Sequence, residues 1–141
     1  VKTVSVLNPP PVPGGFTAPA TDTDGSYTVS WSPVASATSY NLQRQLNGGS
    51  WSTIQSSSAT SRSESGLSNG DYGYRVRACN ASGCSSYTTV KTVSVLYPPS
   101  VPGGLTAPAS DTDGSYTVSW SSVASLSAWP VVAVHSRDKQ T

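Results

Sequence analysis

The stretch Val1-Lys-Thr-Val-Ser-Val-Leu7 returns unchanged as Val90-Lys-Thr-Val-Ser-Val-Leu96, so position 1 maps onto position 90, an offset of 89 residues. The register then runs on without a gap. Residues 1–36 match 90–125 except at Asn8/Tyr97, Pro11/Ser100, Phe16/Leu105, Thr21/Ser110 and Pro33/Ser122. A period of this length is that of a compact domain and exceeds the roughly 20 to 50 residues of a solenoid unit, so each copy is expected to own a hydrophobic core. The chain reads as a tandem array cut at an arbitrary phase.

The repeat divides the chain. Residues 1–7 read as the last strand of a preceding repeat, 8–96 as one complete module, and 97–125 as the first strands of an incomplete second module. Residues 126–141 have no counterpart in the first copy and read as a divergent tail, disordered or cloning-derived. The proline-rich stretches Asn8-Pro-Pro-Pro-Val-Pro13 and Tyr97-Pro-Pro-Ser-Val-Pro102 stand at the junctions. Their fixed φ and missing donors suit stiff extended spacers, with a ligand for an SH3- or WW-type domain as the sharper alternative. The chain opens without Met and reads as an excised fragment, which leaves room for a signal upstream.

Eleven Pro, twelve Gly and no Met, in a body of Ser, Thr, Val and Ala, fit short strands separated by turns better than helices. Eight Lys and Arg against seven Asp and Glu give a net charge of only +1, too weak a field to gather nucleic acid or an anionic membrane. No apolar run reaches the roughly 18 residues of a membrane span.

Tyr27-Thr-Val-Ser-Trp31 alternates large apolar with small polar residues after the turn Asp22-Thr-Asp-Gly-Ser26, the mark of a strand with one buried face. Tyr40-Asn-Leu-Gln-Arg44 repeats the pattern, Asn47-Gly-Gly49 supplies a hairpin turn, and Trp51 with Ile54 begins the next strand. In Tyr72-Gly-Tyr-Arg-Val-Arg-Ala78 the alternation sends Tyr72, Tyr74, Val76 and Ala78 to the core and Arg75, Arg77 and Cys79 to the opposite face. About seven short strands without helical periodicity predict an all-β, immunoglobulin-like two-sheet β-sandwich.

The order of these elements closely resembles the fibronectin type III family. It runs from a Pro-rich entry through Phe16-Thr-Ala-Pro19, Tyr27-x-Val-x-Trp31, Tyr40-x-Leu-x-Arg44 and Gly66-Leu67 to Tyr72-x-Tyr-Arg-Val-Arg-Ala-x-Asn80. The resemblance covers all of the first copy and the opening two strands of the second. It implies that Trp31 is the core tryptophan of the second strand, that Tyr72 is the corner tyrosine whose hydroxyl ties down its own loop, and that Leu67 plugs the core below it. The Leu67-to-Tyr72 connection is one residue shorter than is common in the family. No Arg-Gly-Asp occurs in Asn80-Ala-Ser-Gly83, so integrin binding does not carry over.

Cys79 and Cys84 flank four loop-forming residues, which favours a disulfide clamping a hairpin, and hence an oxidising compartment, over two free thiols. A metal site needs about two further Cys or His ligands, and the only histidine, His135, lies far along the chain. His135 with Ser136 and Asp138 is triad-like only on paper, so no catalytic residue, cofactor or metal is expected. The Asp22-Thr-Asp-Gly25 turn and its copy Asp111-Thr-Asp-Gly114 have the opening of a calcium loop but lack its closing Glu, and read as plain turns. Asn80-Ala-Ser82 fits the N-glycosylation pattern.

Trp51, Arg75 and Arg77 form the candidate binding surface, with Gln43 across the sheet; the plainer alternative is a half-buried packing tryptophan and a solvated sheet face. The expected function is a non-catalytic extracellular or cell-surface module, a spacer, adhesion or protein-interaction unit of a larger multidomain protein. The alternative is a carbohydrate-associated accessory domain of a secreted hydrolase, or a fragment with weak hydrolase activity. The partner, protein or polysaccharide, is not read from the residues. The unpaired strands of the interrupted copies invite a homo-oligomer through strand exchange.

Overall fold

The computed structural model describes residues 2–4 and 6–123. Eight strands form in unit 1, Val1–Tyr97: β1 Thr21–Asp22, β2 Tyr27–Ser30, β3 Ser39–Leu46, β4 Ser52–Ser57, β5 Ser61–Glu64, β6 Gly70–Asn80, β7 Gly83–Cys84 and β8 Lys91–Val95. They make two sheets. The larger runs β1-β8-β6-β3-β4 with β7 also paired to β6, and the smaller is the antiparallel pair β2-β5. The eight strands include β1 and β7, two-residue pairings too short to leave an alternation in the sequence.

Alternation decides which side chains meet between the sheets. Val29 and Trp31 from one side face Tyr40, Leu42, Tyr72, Tyr74, Val76, Ala78, Val93 and Val95 from the other, all buried. Each of the aliphatic side chains removed from water contributes roughly 1.5–3 kcal/mol before entropy is counted. Trp31 sits edge-on between Phe16 and Tyr40, with ring centroids 6.5 and 5.8 Å away, and the Tyr40 hydroxyl accepts the Val34 amide at 2.7 Å. Leu67 is half-buried and packs against this core.

Polar groups also cross between the sheets. The hydroxyls of Tyr27 on β2 and Tyr74 on β6 hydrogen-bond at 2.8 Å. Glu64 on β5, 6% exposed, pairs with Arg44 of β3 at 3.0 Å and with Arg62 of its own strand at 3.4 Å. A buried carboxylate persists because two guanidiniums replace the water it has lost. The Tyr72 hydroxyl donates to the Ser68 carbonyl at 3.0 Å, closing the loop between β5 and β6 despite its short length.

Two turns follow from local chemistry. Asn47 and Gly48 both have positive φ (49° and 71°), and Gly49 N–H closes onto the Leu46 carbonyl at 2.9 Å, the primed turn whose twist matches a hairpin. The Asp22 carboxylate accepts from the amides of Asp24 (3.2 Å) and Gly25 (2.5 Å), and Asp24 accepts from Ser26 (2.9 Å). These carboxylates organise a turn, and no group of three metal-ligating residues occurs among the described residues.

The repeated sequence has two outcomes. At 91–95 it is β8, hydrogen-bonded between β6 and β1, with Val93 and Val95 buried. At the other copy Val4 and Val6 lie outside any strand and are 82% and 78% exposed. A strand needs a neighbour to satisfy its backbone, and sequence alone does not supply one. The entry that follows is held down rather than free: Pro10 and Pro13 are buried, Asn80 donates to the carbonyls of Asn8 (2.8 Å) and Ser36 (3.1 Å), and Ser82 donates to Leu7. At the other end Tyr97 is clasped, its hydroxyl donating to Asp24 and Leu67.

The second unit is Pro98–Thr141. Its described residues repeat one pairing of the first copy, Thr106 with Ser119 for Thr17 with Ser30, and the same aspartate-capped turn at Asp111. No named strand forms among them. His135, Ser136 and Asp138 lie outside the described residues, as does the rest of the expected tail.

Candidate functional site

The outer face of the larger sheet carries a run of stacked side chains. Arg75 and Arg77 project from β6 on the side away from the core, half-buried, opposite Gln43 and Asn41 of β3. The Arg75 guanidinium lies 4.2 Å from the Trp51 ring centroid and 4.3 Å from that of Tyr87, and Arg77 lies 4.8 Å from Tyr87. Each such contact is worth roughly 0.5–1 kcal/mol at an exposed site. The three residues of the expected surface, Trp51, Arg75 and Arg77, thus sit in one cluster, with Tyr87 as the added member that joins the two arginines.

A bulge puts Trp51 on that face. In the β3–β4 pairing Leu42 opposes Gln55 while Gln43 opposes Thr53, which leaves Ile54 as an extra residue. The insertion inverts the alternation beyond it. Thr53, and by the same parity Trp51, then share the side of Gln43, whereas an unbroken register turns Trp51 toward the core. Trp51 itself precedes the strand, which begins at Ser52.

Tyr87 is positioned from both sides along the chain. Ser85 N–H donates to the Ala78 carbonyl (2.8 Å) and Thr88 N–H to the Val76 carbonyl (2.9 Å), so the segment between them is pinned along β6. The hydroxyls of Ser85 and Thr88 accept the amides of Ala78 and Val76 in return, both at 3.1 Å. Nothing periodic marks Tyr87 in the sequence, and its only signal is an aromatic residue isolated in a Ser/Thr-rich stretch. The Cys79–Cys84 disulfide joins β6 to β7 just before this segment and fixes where it starts. Cys79 lies on the outer face by parity yet is buried.

The arginines on this face form no ion pair among the described residues. Arg75 Nε donates to Gln43 Oε1 at 2.9 Å, which orients the fork, and Gln43 is braced in turn by Thr53 at 3.2 Å. Arg77 Nε is buried and has no hydrogen-bond partner among the described residues. Among the described residues, both ion pairs go to Glu64 at the sheet interface, and neither involves Arg75 or Arg77. The glycosylation triplet fares differently, because Asn80 Nδ2, the atom a glycan would occupy, is spent on two backbone carbonyls.

No family model matches the chain, and no curated protein matches it. Solved structures do. The crystal structure of FN3tt is similar with a TM-score of 0.52 and 22% identity, over 63% of this chain and 97% of that one. Residues of the first copy have the fibronectin type III fold. The fibronectin domains FN1–FN3 of chicken contactin (CNTN1) are similar with a TM-score of 0.51 and 16% identity, over 84% of this chain and 46% of that one. At these identities the fibronectin type III likeness is one of fold, and the residues of the stacked face stand on their own geometry.

Proposed function

We propose that this chain is a non-catalytic fibronectin type III module of a larger extracellular or cell-surface protein, spacing its neighbours and making a protein contact through the outer face of its larger sheet. Fibronectin type III folds are found in multidomain proteins as interaction or spacer modules. The observation that carries the contact is the Trp51–Arg75–Tyr87–Arg77 cluster, a half-buried aromatic and cationic surface whose guanidiniums have no carboxylate partner among the described residues. Aromatic and Arg side chains are the groups enriched where proteins meet. The Cys79–Cys84 bond supports an oxidising compartment.

The rival reading is a carbohydrate-associated accessory domain or a weak hydrolase. Pull-down on insoluble polysaccharides with a panel of chromogenic esters and glycosides separates the two. The module reading expects no retention and no turnover above blank; retention abolished by Trp51→Ala, or turnover, contradicts it. Intact mass of the natively produced protein with and without reductant checks the compartment, the bonded form being lighter by two hydrogens.

A further inference from the structure

We infer that the outer sheet face is a docking site for an extended acidic peptide segment with carboxylates at alternate positions, one for Arg75 and one for Arg77. The inference rests on the contact surface proposed above and specifies its ligand.

Three observations lead there. Arg75 and Arg77 stand two residues apart on one face of β6, so their stems are separated by two strand rises, about 6.6–6.8 Å. Alternate side chains of any extended peptide repeat at the same interval, so carboxylates at i and i+2 of a segment laid along β6 meet both arginines in register. Stacking and the bond to Gln43 hold the Arg75 fork before a ligand arrives, so little rotamer entropy remains to be lost on binding. A guanidinium takes a carboxylate through two parallel N–H···O bonds, and among the described residues no carboxylate fills that role here: Glu64 is committed to Arg44 and Arg62, and Asp71 is bonded to Ser94 at 2.5 Å. The β3 residues directly across from Arg77 and Arg75, Asn41 and Gln43, are both uncharged.

The test is titration of the full chain with three synthetic peptides of equal length: one alternating Glu and Thr, one with the same number of Glu in a contiguous block, and one with Gln for every Glu. The alternating peptide is expected to bind, to weaken as salt rises, and to lose roughly tenfold or more in affinity against Arg75→Gln/Arg77→Gln. The block peptide is expected to bind several-fold more weakly and the Gln peptide not at all. Equal binding of the alternating and block peptides overturns the register. No binding of any peptide, or binding of polygalacturonate in their place, overturns the ligand class. Circular dichroism and a thermal melt of the double variant establish that it is folded, and Arg75→Lys/Arg77→Lys, which keeps both charges without the fork, is expected to recover only part of the affinity. Failure here with a clean polysaccharide and hydrolase panel leaves the module reading intact, whereas turnover in that panel removes both.

Discussion

Burial pushes the Tyr27 phenol up to about 12, and burial, reinforced by the hydrogen bond from its partner, pushes Tyr74 further in the same direction. In the unfolded chain both lose their protons near 10. Between about pH 10 and 12 the folded chain therefore binds more protons than the unfolded one, and stability falls as pH rises through that window. Urea denaturation across pH 7 to 12 is expected to give flat stability to about pH 10 and a decline above it, with a smaller decline in Tyr27→Phe. At pH 7 the same substitution costs about 1–2 kcal/mol, since it leaves the Tyr74 hydroxyl without its partner. Glu64→Ala is the more damaging change at the sheet interface, about 1–3 kcal/mol by denaturant titration, because it removes the carboxylate that Arg44 and Arg62 share and leaves Arg62 its bond to the Ile54 carbonyl at 3.0 Å. Tyr72→Phe, which loses one hydroxyl bond to Ser68, costs about 0.5–1.5 kcal/mol.

At the scale of elements, the disulfide spans six residues from Cys79 to Cys84, and chain-entropy reasoning gives such a small loop about 2 kcal/mol. Reduction is thus expected to lower the denaturation midpoint without unfolding the module, as a melt with and without reductant shows. The alternating strands were legible in the sequence because β2, β3 and β6 each bury one face, and period-2 patterning reports that directly. The bulge at Ile54 was not, since one inserted residue leaves no compositional trace while inverting every position beyond it. Trp51, Arg75 and Gln43 are legible as candidates from residue chemistry and strand parity, while the stacking of Arg75 on Trp51 depends on the bulge that turns Trp51 outward. Tyr87 and the Arg44–Glu64–Arg62 group escaped because they join residues from elements whose relative placement no local pattern states. The contrast between Val93 and Val4, alike in sequence and opposite in burial, is the same lesson in one pair.

At the scale of the whole molecule, unit 1 holds its own core: the buried side chains, the inter-sheet ion pairs and both clasped ends, Asn8 at Asn80 and Tyr97 at Asp24, all lie within Val1–Tyr97. A repeat unit that owns its core serves as a building block wherever it is placed. Equilibrium unfolding of residues 1–97 alone beside the full chain tests this most directly. A cooperative transition of the excised piece is expected, because the core and both clasps lie within it. An excised piece that is unfolded contradicts this.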